Sequence, residues 1–570
     1  MNLFLAGSSA AGEADADRAA AVLESLRAPF FGAEPVQRWT APSGRTAAAW
    51  LAHAPERVGG VRYAASDGGR LALFAGRPIR WAGEEADGRG PLDPAAYLEG
   101  VPDGMDGRFA VLRAGDDGIE VVTDALGAYP VFRCGGWVSN SPEALRRLCG
   151  ADELGPGVLA GVLGGGWSLS GDPVWAAITR VPWGAGSPPA AGLCGAGFDP
   201  DRAARLLVAG TRALADWPGR PNVVLVTGGR DSRLVLAAAL RAGVEMQVRT
   251  GGTGDMPDVV IGRQLAAAAG VEHRMLDPHP FGDFAAHWRD MARVLAQTTG
   301  ATATLADAAG FPLVALDGPL PLWHTGQGGE IARGYYGGVD LDGLVRRFLG
   351  KRPGRSGVLS EAGELRVQEQ VSDWAAPLGA AAEDLGDLFY LDQRMARWAA
   401  PTHTAVEPIR DSTSPLWSIR LLPDLLGLPA AARAREEFHL RVLERLAPEL
   451  VDLPFEGGRP WPSRQSALAR RSARARTLAR KVAAEARRRR GRGAILPTGG
   501  EPADPFAAAL AEIRALVLAD TLHLAWAVLD RSRVEALLST PAPALDAMSR
   551  AYVWRLATVF GGLPAGPAAQ

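Results

Sequence analysis

The feature that most restricts the fold is a six-residue loop, Thr227-Gly228-Gly229-Arg230-Asp231-Ser232, set between a short apolar run and a helical pattern. The run, Val223-Val224-Leu225-Val226, is rich in β-branched residues and bounded by turn formers, which predicts a strand buried on both faces. A helical pattern covers residues 232–242, a second strand pattern 245–249 and a second helix 258–269. This alternation predicts a doubly wound parallel sheet, with the glycine loop directly after one strand and opening the next helix.

The rest of the chain frames that unit. Residues 2–182 read as short strands between Gly, Asp and Pro turns, at 70–74, 107–113, 119–123 and 130–133, predicting a β-rich first domain. Residues 164–184, with a triple glycine and a V-P-W-G turn, read as the crossover, which places a boundary near residue 200. Beyond about residue 385 the pattern is helical almost to the end, apart from Pro-rich breaks. Residues 464–492 carry about a dozen arginines and lysines against one acid, Glu485, and read as a solvated basic segment. Three units are expected: 1–200, 201–465, and 466–570 with a C-terminal helical extension.

Composition narrows the partners. With 570 residues, 47% of them hydrophobic, the chain can bury a large core. A net charge of -2 gives no global attraction to nucleic acid or an anionic membrane, so any site for a polyanion has to be local. Cys134, Cys149 and Cys194 lack metal-ligand spacing and fit a reducing cytosol better than a disulfide framework. The first apolar run is very short and is followed by Glu13, Asp15 and Asp17, unlike a signal peptide. No apolar stretch reaches the roughly 18 residues a bilayer requires. A soluble cytoplasmic protein is expected.

Glycines in such a loop let backbone N–H groups close on phosphate oxygens, and the helix start adds partial positive charge, so the loop should hold an anion. It is not a Walker A loop, which needs a lysine here; the chain's only lysines are Lys351 and Lys481. About a hundred residues on stands Thr325-Gly326-Gln327-Gly328-Gly329-Glu330, followed by Gly334, Tyr335 and Tyr336. Upstream lie Asp106-Gly107-Arg108-Phe109-Ala110 and Asp124-Ala125-Leu126-Gly127-Ala128-Tyr129-Pro130-Val131-Phe132. The first loop resembles the S-G-G-x-D-S loop of PP-loop ATP pyrophosphatases. The second motif resembles the S-G-x-G-A-D-E-L-F-G-G-Y segment of asparagine synthetases, and the upstream segments resemble those of their amidotransferase-like N-terminal domain. The likeness covers most of the chain and weakens after about residue 465.

That resemblance implies an α/β protein: an Ntn-type β-rich sandwich domain, then a PP-loop parallel-sheet domain with a helical extension. It implies a carbon–nitrogen ligase that uses ATP and Mg2+, activates a carboxylate as its acyl adenylate, and releases AMP and pyrophosphate. Leu225, Thr227, Gly228, Gly229, Asp231, Ser232, Thr250, Gly251 and Gly326 match nucleotide-contacting positions of the family. Asp231 and Glu330 match its catalytic, Mg2+-binding carboxylates, Glu330 standing where many relatives have Asp. The plainer alternative for Asp231 is a helix-capping carboxylate.

Within the family, Asn2 stands where glutamine-using members expose a cysteine nucleophile, so the first domain is expected to be structural or a docking surface. Gln327 replaces the tyrosine of β-lactam synthetases and cannot act as a base. The chain looks most like the lasso peptide cyclases, which join a precursor peptide's N-terminal amine to an Asp or Glu side chain. Leu388-Phe389-Tyr390 with Arg394, Arg397 and Trp398, then Ala447-Pro448-Glu449-Leu450 and Leu453-Pro454-Phe455, resemble theirs. Implied partners are the precursor peptide, a leader peptidase and a leader-binding protein; no membrane or nucleic acid is expected. The alternatives are an asparagine synthetase-like enzyme using ammonia or another small amine, and a catalytically silent peptide-binding scaffold.

Further candidates carry two readings each. Asp258 opens a helix as a ligand contact or an N-cap. His324 and His403 touch substrate or are structural. Arg435 or Arg441 substitutes for the family's late lysine. Trp398, Trp417 and Trp461 line a peptide tunnel or pack helices.

Overall fold

The computed structural model describes residues 2–9, 14–27, 34–183, 194–252, 254–276, 284–307, 318–350, 357–379, 384–455, 458, 460–466, 468–469 and 505–563. Both lysines and residues 470–492 of the basic segment lie outside the described residues.

The first described strands are β1 (Asn2–Ser8), β2 (Gln37–Thr40), β3 (Thr46–Ala52), β4 (Ala64–Ser66), β5 (Leu71–Ala82), β6 (Glu85–Asp87), β7 (Met105–Gly115), β8 (Gly118–Thr123), β9 (Phe132–Cys134), β10 (Trp137–Ser139) and β11 (Thr179–Arg180). They form two antiparallel sheets, β11-β9-β10-β1-β3-β2 and β4-β5-β7-β8, with β6 paired to β5. Strand alternation explains their stacking. On β1, Phe4 and Ala6 share a core with Leu71, Leu73 and Leu112 of the second sheet. Leu3 and Leu5 point the other way, toward Ala19 and Leu23 of α1 (Ala16–Ser25) and Leu145 of α2 (Pro142–Cys149). Residues 164–184, read as a crossover, begin at the end of α3 (Pro156–Gly165) and contain β11, which still pairs with β9 of the first sheet.

After α4 (Pro200–Ala215), a parallel sheet is built from β12 (Asn222–Leu225), β13 (Met246–Gly251), β14 (His273–Leu276), β15 (Leu322–His324) and β16 (Asp411–Thr413). Its order is β14-β13-β12-β15-β16, and every neighbouring pair is parallel. Helices α5 (Asp231–Arg241) and α6 (Pro257–Ala268) follow β12 and β13, within two residues of the expected spans. β16 departs from expectation, because it falls inside the stretch read as helical. Three residues are too few to show a period, and β16 exists only through its pairing with β15.

From β12 the chain adds β13 and β14 on one side, then returns to lay β15 and β16 on the other. The reversal lies between β12 and β15, and in such sheets a crevice opens beyond the carboxyl ends of the strands at that point. The outer face of the second antiparallel sheet, Phe74, Phe109 and Val111, shares a third apolar layer with Trp217, Leu320 and Leu322 beside the parallel sheet. The C-terminal helix Ala547–Gly562 lies against α7 (Trp288–Thr299), so close that a Cβ on Gly562 would stand 2.5 Å from the Ala292 carbonyl oxygen. No described helix is long and apolar enough to cross a membrane.

Candidate active site

Both glycine motifs sit at the switch point. Residues 227–232 follow β12, and residues 325–330 follow its parallel neighbour β15, so both loops leave the sheet at the same end. They touch: a Cβ on Gly326 would stand 2.6 Å from the Ser232 backbone nitrogen, and one on Gly329 would stand 2.4 Å from Asp231 Oδ1. Glycine at 326 and 329 is therefore a requirement of loop contact.

The first loop is held by its own polar groups. The Thr227 N–H donates to Ser232 Oγ (3.1 Å), the Gly229 N–H to Thr227 Oγ1 (3.2 Å) and the Gly228 N–H to Asp258 Oδ1 (2.7 Å). Each acceptor is an oxygen that a phosphate oxygen can replace, and Asp258 shows that the loop already accommodates negative charge. Asp258 does not cap its own helix, whose N-cap is Met256. The buried Thr250 hydroxyl donates to the Val226 carbonyl oxygen (2.7 Å), and His273 Nε2 meets it at 3.0 Å, so that side chain ties β13 to β12. Leu225 ends β12, half-buried, and Gly251 ends β13, exposed.

The two carboxylates come together. Asp231 is the first residue of α5 and caps nothing: its Oδ1 accepts from Nε2 of buried His439 (2.7 Å), and its Oδ2 from Arg333 Nη2 (3.0 Å). Glu330 Oε2 accepts from the Tyr390 hydroxyl (3.1 Å) and Arg394 Nε (3.3 Å), and its Oε1 from the same Arg333 Nη2 (3.3 Å). Burial pushes the Asp231 carboxyl up, but the His439 hydrogen bond and the Arg333 charge outweigh it and hold the group below the usual carboxylate range. Asp231 Oδ2 and Glu330 Oε1 thus converge on one cationic nitrogen. Two hard oxygen donors aimed at one point fit a divalent cation such as Mg2+.

Around this pair lies an aromatic and cationic wall. Arg394 stacks on Tyr335 (4.6 Å) and Trp398 (4.3 Å), and Trp398 donates to Asp307 Oδ1 (3.2 Å). Tyr390, Arg394, Arg397 and Trp398 belong to a π-helix, Tyr390–Ala399, a winding that often marks functional sites. Arg230 pairs with Glu436 and stacks on Phe455 (4.3 Å). Arg233 donates to the carbonyl oxygens of Leu450, Leu453 and Pro454, fixing the Leu453-Pro454-Phe455 turn.

The other candidates divide. His324 is fully buried in β15 and bonds Asn222 Oδ1 (2.9 Å), away from the carboxylates. His403 is buried, bonds the Ser412 carbonyl oxygen (3.0 Å) and contacts the Gln327 carboxamide, which places it behind the second loop. Burial lowers His403 to about 3, so it is neutral there. Trp417 and Trp461 are buried packing residues, whereas Trp398 is half-buried beside Arg394. Arg435 pairs with Glu437, and Arg441 stacks on Phe198; neither meets the carboxylates. Arg333 and Arg394 hold that place.

Sequence reasoning missed His439 and Arg333. Arg333 lies three residues after Glu330 on one short helix, Gly329–Arg333, a spacing that signals a same-face ion pair. His439 lies 208 residues from Asp231 and gives no local signal. Searches find no protein-family model that matches the chain, and no match among curated proteins.

Proposed function

We propose that this chain is an ATP-dependent carbon–nitrogen ligase of the asparagine synthetase type, and that it closes a macrolactam in a precursor peptide as a lasso peptide cyclase does. In this reading the antiparallel sandwich is an Ntn-type amidotransferase-like domain without its nucleophile, and the parallel sheet is a PP-loop domain. The observation that carries it is the pairing of two glycine loops across a sheet switch point, with Asp231 and Glu330 aimed at one cation position.

The chain's own groups then have separable tasks. Residues 227–232 and the start of α5 bind the β and γ phosphates, leaving the α phosphorus open to the substrate carboxylate. Asp231 and Glu330 would hold Mg2+, which when bound neutralises charge on the departing pyrophosphate. The Tyr335, Arg394 and Trp398 stack offers a flat cationic surface to a folded peptide. The amine needs little help: an α-amino group has a pKa of about 7.7 to 8.0, so an appreciable fraction is neutral near pH 7. Gln327, at the position of the β-lactam synthetases' tyrosine, is compatible with that. Holding amine and adenylate together raises their effective concentration.

The test is product analysis with ATP, Mg2+ and a candidate precursor peptide. AMP, pyrophosphate and a peptide lighter by one water are expected; ADP and phosphate would refute adenylation. Asparagine formed from aspartate and ammonia would move the assignment to a small-amine enzyme.

A further inference from the structure

The carboxylate pair has an asymmetry in its partners. One oxygen of each acid has a fixed structural donor: Asp231 Oδ1 has His439 (2.7 Å), and Glu330 Oε2 has Tyr390 (3.1 Å) and Arg394 (3.3 Å). The other oxygen of each, Asp231 Oδ2 and Glu330 Oε1, shares only Arg333 Nη2, at 3.0 and 3.3 Å. Removing the Arg333 contact would therefore leave both carboxylates positioned and both inward oxygens free.

Arg333 is also placed to leave. Its side chain retains 29% of its exposure, and its buried Nε has no hydrogen-bond partner, so the guanidinium uses only part of its donor capacity. Two carboxylates this close repel strongly unless a cation lies between them. A guanidinium fills that role, and two phosphate-type oxygens are an equal or better match for its planar fork.

We propose that Arg333 is a resident counter-ion: without nucleotide it occupies the cation position between Asp231 and Glu330, and it moves to the nucleotide's phosphates when these arrive. This rests on the reading under Proposed function, because it takes the ligand to be a nucleoside triphosphate with its divalent cation. Cation and nucleotide then bind cooperatively, since the phosphates remove the group that competes with the metal. The carboxylates also stay apart from stray cations until the substrate is present.

The experiment titrates Mn2+ into the full chain, with and without ATP, following free Mn2+ by electron paramagnetic resonance. The wild-type protein should bind Mn2+ weakly alone and about tenfold or more tightly with ATP. In Arg333→Gln, Mn2+ alone should bind about tenfold tighter than in wild type, and the ATP-dependent gain should largely vanish. Arg333→Lys keeps a charge and should behave like wild type, and matching thermal melts would show that both variants fold. Equal nucleotide-free Mn2+ affinity in wild type and Arg333→Gln would overturn the proposal. Failure of the wild type to bind ATP would instead overturn the nucleotide reading, while the nucleotide-free arm still decides the competition at the carboxylates.

Discussion

Two of the clusters that join carboxylates to arginine among the described residues differ in how completely each charge is enclosed. Between the antiparallel sheets and the parallel sheet, Arg220 pairs with Asp411 and Arg108 with Glu407, with side chains only 0–6% exposed. There each cation has further fixed acceptors: Arg220 donates to the Leu320 carbonyl oxygen (2.5 Å), and Arg108 to Thr404 Oγ1 (2.7 Å). At the switch point, Asp231, Glu330 and Arg333 retain 14%, 26% and 29%, and two acids share one guanidinium nitrogen. Sealed pairs with further acceptors fix how two sheets meet. An open pair with a shared counter-ion is a place where charge can be exchanged for a ligand.

The sharpest way to break this contrast is to make matched changes on both sides. Asp231→Asn keeps the shape and the oxygen facing His439 but removes the charge that pairs with Arg333 and would hold Mg2+. Loss of a metal contact to developing pyrophosphate charge should cost about 4 kcal/mol, on the order of a thousandfold in ATP–pyrophosphate exchange. Its urea midpoint should shift little. A near-wild-type exchange rate would remove Asp231 from the metal role.

Asp411→Ala should show the reverse pattern. It leaves the Arg220 guanidinium buried without its carboxylate, which in sealed pairs costs about 3 kcal/mol or more. Equilibrium unfolding in urea reads this directly. A stability loss under about 1 kcal/mol would mean that the junction is not the rigid element its burial suggests.

Tyr390→Phe probes the support of the open cluster. The hydroxyl gives one charge-assisted hydrogen bond to Glu330 Oε2, worth about 2 kcal/mol, and Arg394 remains to hold the same oxygen. A fall of up to about thirtyfold in pyrophosphate exchange is expected, with a stability loss of no more than about 2 kcal/mol. An unaltered rate would show that Arg394 alone positions Glu330.

The same contrast explains what the sequence made legible. Strand β12, its loop and α5 are read correctly because a short β-branched run, a glycine turn and a helical period are local signals. Asp231 and Glu330 come together because their loops follow neighbouring strands. His439 was illegible, since only tertiary packing brings it to Asp231. Glu436, in the left-handed region at φ 62°, sits where Arg230 can reach it, and no composition cue marks a non-glycine residue for that conformation. Trp461 was open between tunnel and core, and its indole N–H on the Val451 carbonyl oxygen (2.9 Å) makes it core.

The smallest effect comes from His324, which sits in the sheet between the two clusters. Burial, with a contribution from the Arg77 charge, lowers this histidine from 6.5 to about 4, and its Nε2 meets Asn222 Oδ1. The folded state therefore resists a proton that the unfolded chain accepts below about 6.5. More protons are bound in the unfolded state across that window, so stability is full above it and declines as pH falls toward about 4. Linkage puts the loss from this one residue at about 1 kcal/mol near pH 5.5. His324→Gln retains an N–H for Asn222 and cannot titrate, so its unfolding free energy should fall less steeply from about pH 7 to 5.5 than the wild type's. The comparison is of slopes, because the replacement carries a pH-independent packing cost of its own. Identical slopes would show that protonation of His324 does not contribute to this pH dependence.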